Sequence, residues 1–242
     1  MPGGPGGLSQ EALVRWIEDS LATGSNRLAS GYQGQTLLYA DPSGSRFVIK
    51  VPAGRGLRRW ISTLMLRHEA RVYARLQGFS SAPQCLGLLA RRYLVLEFIE
   101  GVSARSAEFE NRTTFFDALL KQIQDLHARG IAHSDLQKKD NLLVVHGRYP
   151  MLLDFGTAVV RKPGFAPLNH LHFRLARQLD LNQYIKLKYR KRPEDMSDAD
   201  RALFRRTVAE ELARALKRLW RWARYGGPKR RHRPKSRKTI TK

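Results

Sequence analysis

The stretch Ile131–Gly156, IAHSDLQKKDNLLVVHGRYPMLLDFG, decides how this chain is read. Two short apolar runs, Leu142–Val145 and Met151–Leu153, flank the turn-forming His146-Gly147-Arg148, a pattern that predicts a β-hairpin. In an antiparallel hairpin, the residue before the first strand and the residue after the second share the open end. Asn141 and Asp154 hold those two places, and Asp135 lies just upstream. Two carboxylates and an amide oxygen meeting at one point make a poor core. As hard oxygen ligands they make a good seat for Mg2+.

His133-Ser134-Asp135-Leu136, then Asn141, then Asp154-Phe155-Gly156 resembles the catalytic loop and metal-binding turn of the protein-kinase-like fold. In most kinases the asparagine follows the catalytic aspartate by five positions. Here Asp140 stands fifth and Asn141 sixth. The longer form resembles the bacterial lipopolysaccharide kinase family, which phosphorylates Kdo or heptose sugars of the inner core. The resemblance implies Asp135 as the base that orients an attacking hydroxyl, with Asp154 and Asn141 as metal ligands. It leaves open whether Asp140 shares the ligand role. Lys138 or Lys139 is a candidate to supply positive charge to the transferring phosphoryl group.

Upstream, the strands expected at Arg27–Ser30, Thr36–Ala40 and Arg46–Val51 surround Gly31-Tyr32-Gln33-Gly34. Gly31 and Gly34 match two positions of the kinase glycine-rich loop, while Ala29 replaces its first glycine. Glycines there let backbone amides approach phosphate oxygens. Lys50 ends the apolar run Phe47-Val48-Ile49 and by alternation points inward, where an ammonium needs partners. On the next helix, expected over Leu57–Leu76, Met65, Glu69, Val72 and Leu76 share a face. A carboxylate in that apolar stripe is costly unless paired, so Lys50–Glu69 is the expected pair, and the resemblance supplies the same one.

Strands at Leu86–Leu89 and Tyr93–Glu97 complete a five-stranded sheet. The run Leu94–Gly101 resembles a kinase hinge, in which backbone groups near Glu97 and Ile99 bond an adenine and Leu96 backs its pocket. The helix expected over Thr114–Arg129 is stopped by Gly130. Ser134 stands where many protein kinases carry an arginine that receives an activation-loop phosphate. No Ala-Pro-Glu anchor follows Gly156, and the chain enters a helix expected over Leu168–Tyr189 almost at once. Small-molecule and glycolipid kinases, and the atypical RIO-type protein kinases, share that shortened segment.

With 44 Lys and Arg against 21 Asp and Glu, the net charge of the 242 residues is +23. Such a charge implies an anionic partner: phospholipid or lipopolysaccharide, nucleic acid, or nucleotide phosphates. A single cysteine, Cys85, excludes an internal disulfide framework and accords with a reducing compartment. No basic segment followed by an apolar one opens the chain, and no apolar run approaches the length of a bilayer. A cytoplasmic protein is expected, soluble or peripheral on the inner membrane, and monomeric.

Ser197 caps a helix expected to run to about Tyr225, with Val208, Leu212, Leu216 and Leu219 in its stripe and Trp220 and Trp222 beside them. That stripe fits either packing on the second lobe or a membrane interface. From Pro228 the chain is PKRRHRPKSRKTITK, with eight Lys or Arg and no acid. Such a tail cannot fold alone and suits an anionic leaflet or RNA.

These readings give an α+β, two-lobed protein-kinase-like fold: a five-stranded antiparallel N-lobe sheet with one main helix, and a reduced, mainly helical C-lobe. Residues 1–8 are expected to be disordered, 9–98 to form the N-lobe, 99–226 the C-lobe, and 227–242 a disordered basic tail. The implied activity is Mg2+- and ATP-dependent phosphorylation of a Kdo or heptose hydroxyl on the lipopolysaccharide inner core. The alternatives are a RIO-like protein serine kinase and a catalytically silent scaffold that binds nucleotide or membrane. A purely RNA-binding basic protein is disfavoured.

Overall fold

The structure is a computed structural model that describes residues 9–31, 34–138, 140–190 and 192–205. Contacts divide the chain into one unit, Met1–Phe204, and a second, Arg205–Lys242. The expected helix beyond residue 205 and the basic tail lie outside the described residues.

The first unit opens with α1 (Gln10–Thr23), where the Ser9 side chain accepts a hydrogen bond from the Ala12 amide and Gly24 ends the helix at φ 73°. Five strands follow: β1 (Arg27–Gly31), β2 (Gly34–Ala40), β3 (Arg46–Pro52), β4 (Cys85–Leu89) and β5 (Tyr93–Glu97), with α2 (Gly56–Arg75) between β3 and β4. They form one sheet in the order β1-β2-β3-β5-β4, with every neighbouring pair antiparallel. Side chains alternate across it. Leu37, Tyr39, Ile49, Val51, Tyr93 and Val95 pack beneath Leu13 and Ile17 of α1. Lys50, Leu94 and Leu96 therefore face the opposite side.

On that side one apolar core joins Leu66, Val72 and Tyr73 of α2 to Phe115, Phe116, Leu119, Ile123 and Leu126 of α3 (Arg112–Ala128). The same core takes in Leu142, Val144 and Leu152 of the hairpin, Phe155, and Tyr184 and Ile185 of α4 (Pro167–Lys188). Asn111 caps α3 by accepting from the Thr114 amide, and Gly130 follows its end at φ 74°.

The predicted hairpin forms from β8 (Leu142–Val145) and β9 (Tyr149–Leu152). His146 and Gly147 turn it with φ of 51° and 69°. The second strand lies one to two residues earlier than the apolar run suggested, because β9 starts by pairing Tyr149 with Val145. Three short strands were not foreseen. β6 (Val102–Ser103) adds an edge to the hairpin, and β7 (Ile131–Ala132) pairs with β10 (Val159–Val160).

The C-terminal helix differs from expectation. Ser197 does cap it by accepting from the Asp200 amide, but α5 ends at Leu203 and Phe204 is extended (φ −81°, ψ 110°). Phe204 leaves the helix to pack against the large core. Asp200 anchors the turn through Lys188 Nζ at 2.7 Å and the Tyr189 hydroxyl at 2.5 Å. No helix among the described residues is long and apolar enough to cross a membrane.

Candidate active site

Register places the hairpin's open end. Leu142 pairs with Leu152, and the Leu153 amide donates to the Asn141 carbonyl at 2.9 Å, so Asn141 and Asp154 are neighbours. The catalytic loop lies against them. Asn141 Nδ2 donates to the Asp135 carbonyl at 2.8 Å and lies 3.4 Å from Asp135 Oδ2. Asn141 is almost wholly buried whereas Asp140 is exposed, which makes Asn141 the better placed of the two candidate ligands.

Lys50 comes from the opposite direction. Its Nζ lies 2.6 Å from Glu69 Oε1 and 3.0 Å from Asp154 Oδ1, so strand β3, helix α2 and the residue after β9 meet at one ammonium. Burial works against the charged Lys50, but Glu69 and Asp154 outweigh it and hold its pKa above the usual lysine value. Burial pushes the Glu69 carboxyl up, and Lys50 pulls against that shift. Lys138 Nζ reaches the other oxygen of Asp154 at 2.8 Å. Although burial would raise Asp154, the two ammoniums hold its carboxyl well below the ordinary range. Asp135 behaves oppositely: partial burial raises its pKa, with Lys138 and His133 opposing and Asp154 assisting. The two carboxylates are thus shifted in opposite directions, Asp154 down and Asp135 up.

Three of the four expected catalytic side chains, Lys50, Glu69 and Lys138, therefore converge through Asp154, and Asp135 joins them through Asn141. Lys139 lies outside the described residues. The donor set fits Mg2+. Asp154 offers carboxylate oxygens, and Asn141, having spent its amide hydrogens on Asp135, keeps Oδ1 without a donor among the described residues. No cluster of three or more His, Cys, Asp or Glu forms among the described residues, so this pair of ligands would leave most of a Mg2+ shell to water and phosphate.

Gly31 pairs with Gly34 at the tip of β1–β2. Gly34 has φ 154°, and a Cβ there would lie 2.0 Å from the Val51 carbonyl oxygen. The need for glycine at this position is thus explained by the close approach of β3, which requires no phosphate. In the hinge, Leu96 is buried in the core. The Glu97 amide already donates to the Gln84 carbonyl at 2.9 Å, and its carboxylate accepts from the Gln84 amide at 3.0 Å. Among the described residues the Ile99 backbone makes no hydrogen bond.

Two further residues hold the loop, and the sequence did not single them out. Asp180 of α4 is fully buried. Its Oδ2 accepts from the His133 amide at 2.8 Å and from His127 Nε2 at 2.9 Å, and its Oδ1 accepts from the Ser134 amide at 2.7 Å. Gln183, one helical turn on, accepts from the Leu136 amide at 2.6 Å and donates to the Ser134 carbonyl at 3.2 Å. These bonds hold Ser134 at φ 70°, an uncommon conformation for a residue with a side chain. The detectable signal was the one that exposed Glu69: Asp180 shares a helical face with Phe173, Ala176 and Tyr184.

His133 serves as packing. Its Nδ1 accepts from the Asp135 amide at 3.3 Å, so Nε2 carries the hydrogen and donates to the Leu153 carbonyl at 2.9 Å. Burial lowers its pKa, in keeping with a neutral ring. The Phe155 ring packs between the tilted ring of His133, at 4.8 Å, and Tyr73 of α2, edge-to-face at 5.3 Å.

This arrangement has a protein-kinase-like fold, and comparison with solved structures agrees on the fold. Solved structures of the Rio2 kinase from Chaetomium thermophilum superpose with TM-scores of 0.55 and, for its ADP/Mg2+-phosphoaspartate complex, 0.52, at 16% identity. They cover 84% and 85% of this chain and 70% of theirs. A 67-residue stretch, 26% of the chain, is 34% identical to serine/threonine-protein kinase D of Synechocystis sp., of which it spans 13%. No protein-family profile matches.

Proposed function

We propose that the protein is an ATP-dependent phosphotransferase that uses Mg2+ and an alcohol acceptor. The observation that carries this reading is the Lys50–Glu69–Asp154 ion-pair chain, closed by Lys138 and set beside Asp135. The Rio2 complex with ADP and Mg2+ supports the cofactor assignment. Bound nucleotide and Mg2+ would supply the phosphoryl group and part of its charge neutralisation. Lys50, fixed by Glu69, binds phosphate oxygens. Asp154 and Asn141 present oxygen ligands. Asp135 accepts the hydrogen bond of the acceptor hydroxyl and orients it, which suffices where positioning and charge stabilisation dominate. Lys138 holds positive charge at the mouth of the site.

For the acceptor, we favour a sugar hydroxyl of the lipopolysaccharide inner core, met at the cytoplasmic face of the inner membrane. The sequence resemblance suggests it, and the segment after Asp154 accords with it. Phe165, Leu168, Leu171 and Leu175 are exposed there, at 97%, 83%, 48% and 41%. Between Asp154 and Asp180 the chain carries Arg161, Lys162, Arg174 and Arg177 and no acid. An apolar, basic surface suits an anionic amphiphile. The second reading, a RIO-like protein serine kinase, is supported by the Rio2 superposition. Incubation with radiolabelled ATP separates them: label enters a phenol-extracted glycolipid in the first case and protein in the second. Wild type that transfers no phosphate to either acceptor, or Asp135→Asn that transfers it as well as wild type, would refute the catalytic assignment.

A further inference from the structure

We propose that the amino-terminal half of α2 is a docking face for an anionic phospholipid leaflet. Helix α2 has two apolar sides. Leu66, Glu69, Val72 and Tyr73 are buried beneath it. On the other side Leu57, Trp60 and Ile61 are 72%, 60% and 47% exposed, and with half-buried Leu64 they follow the i, i+3, i+4, i+7 spacing of a single helical face. This second apolar face is open to solvent among the described residues, and three large apolar side chains in two turns are unfavourable in water.

Arginine-lined cavities lie on both flanks of this ridge. One, of about 460 Å³, is lined by Arg55, Arg58 and Arg59 together with Leu21 and Gln35. The other, of about 370 Å³, is lined by Arg59, Trp60, Arg67 and Arg91 among others. Gln35 alternates with Thr36 on β2 and so lies on the α1 side of the sheet, away from Lys50. Neither cavity is lined by Asp135 or Asp154, and the first meets the site above only at Gly34 of the glycine loop. The chain has no acid between Asp41 and Glu69. Glu18, which reaches this end of the molecule, is spent on Arg92 at 2.9 Å.

Charge and apolarity together select the occupant. A ridge of Trp, Leu and Ile between cationic clefts matches an interface in which acyl chains meet phosphate headgroups. RNA would use the arginines but gains little from Leu57 and Ile61. The chain's own residues 206–242 carry fourteen Lys and Arg against two Glu, a charge of the same sign as this face.

The test uses the full chain with Cys85→Ser and Ile61→Cys, carrying an environment-sensitive fluorophore at position 61. That readout is blind to lipid binding by the tail alone. Vesicles of phosphatidylcholine with about 30% phosphatidylglycerol are expected to shift the emission to the blue, and pure phosphatidylcholine is not. Arg55→Glu with Arg59→Glu should weaken the apparent affinity about ten-fold or more. Leu57→Ser with Trp60→Ser should weaken co-sedimentation of the unlabelled chain while leaving its melting temperature unchanged. The proposal is overturned if the protein co-sediments with anionic vesicles without an emission shift. An equal shift with pure phosphatidylcholine overturns it too, as does a shift produced by RNA and not by vesicles.

Discussion

Replacing Asp180 by Asn tests whether α4 sets the catalytic loop. The carboxylate accepts three hydrogen bonds, two from loop amides and one from His127, and is fully buried. An amide of the same shape has one acceptor oxygen. Placed at the Oδ2 position, it keeps His133 and His127 but turns an NH2 toward the Ser134 amide. Two buried donors then face each other, and each costs about 1–3 kcal/mol when left without an acceptor. Taking about 2 kcal/mol for each gives about 4 kcal/mol, a large part of the stability of an ordinary domain. At about 2–4 °C per kcal/mol for a chain of this size, the melting temperature falls by about 8–16 °C. Melting followed by circular dichroism reads the stability, and ATP turnover well below the transition reads the loop. Turnover should drop even where the variant is folded, because Ser134 and Asp135 lose their fixed position. A variant that melts within about 2 °C of wild type would refute this account of the loop.

Asp135→Asn should reduce phosphoryl transfer by about 10²-fold or more while leaving nucleotide affinity and melting temperature near wild type, measured by initial rates and ATP titration. Lys50→Met strands Glu69 in an almost dry site, so it should lower both nucleotide affinity and the melting temperature; Lys50→Met with Glu69→Leu should recover stability but not activity. The acid limb of the rate–pH profile should follow Asp135. Its pKa is raised above the ordinary 3.8, so activity is lost as pH falls through a value higher than that of a free aspartate, and Asp135→Asn should abolish the limb. Asp154, held low by two lysines, keeps its charge throughout this window. Its contribution to stability is present above the ordinary 3.8 and fades only as pH falls through the lowered value, which acid melts of Asp154→Asn and wild type would reveal. Gly34→Ala should lower the melting temperature, since its Cβ would collide with the Val51 carbonyl.

The parts of the site legible in the sequence are those fixed by short-range periodicity. The hairpin set Asn141 beside Asp154 because register is local, and Glu69 stood out because a carboxylate interrupted an apolar stripe. The glycine loop was read through its motif, which hid the packing reason for Gly34. The hinge amide of Glu97 could not be foreseen as occupied, since its partner Gln84 belongs to the chain leading into β4. Asp180 was missed although it interrupts a stripe as Glu69 does. Without knowing which surface α4 packs against, a buried Asp in LARQLDLNQY cannot be told from a solvated one. The end of α5 was equally hidden, because Phe204 leaves the helix for a core assembled from distant segments.

The order in which the polypeptide leaves the ribosome acquires meaning from the anchoring of His133, Ser134 and Leu136 by Asp180 and Gln183. The sheet and the hairpin can form while α4 is still in the exit tunnel. During that interval the amides of His133, Ser134 and Leu136 have water in place of their side-chain acceptors, and only emergence of residues 180–183 gives the loop its shape. A nascent chain cut short before that point would hold all the proposed metal- and phosphate-facing side chains and yet lack their geometry.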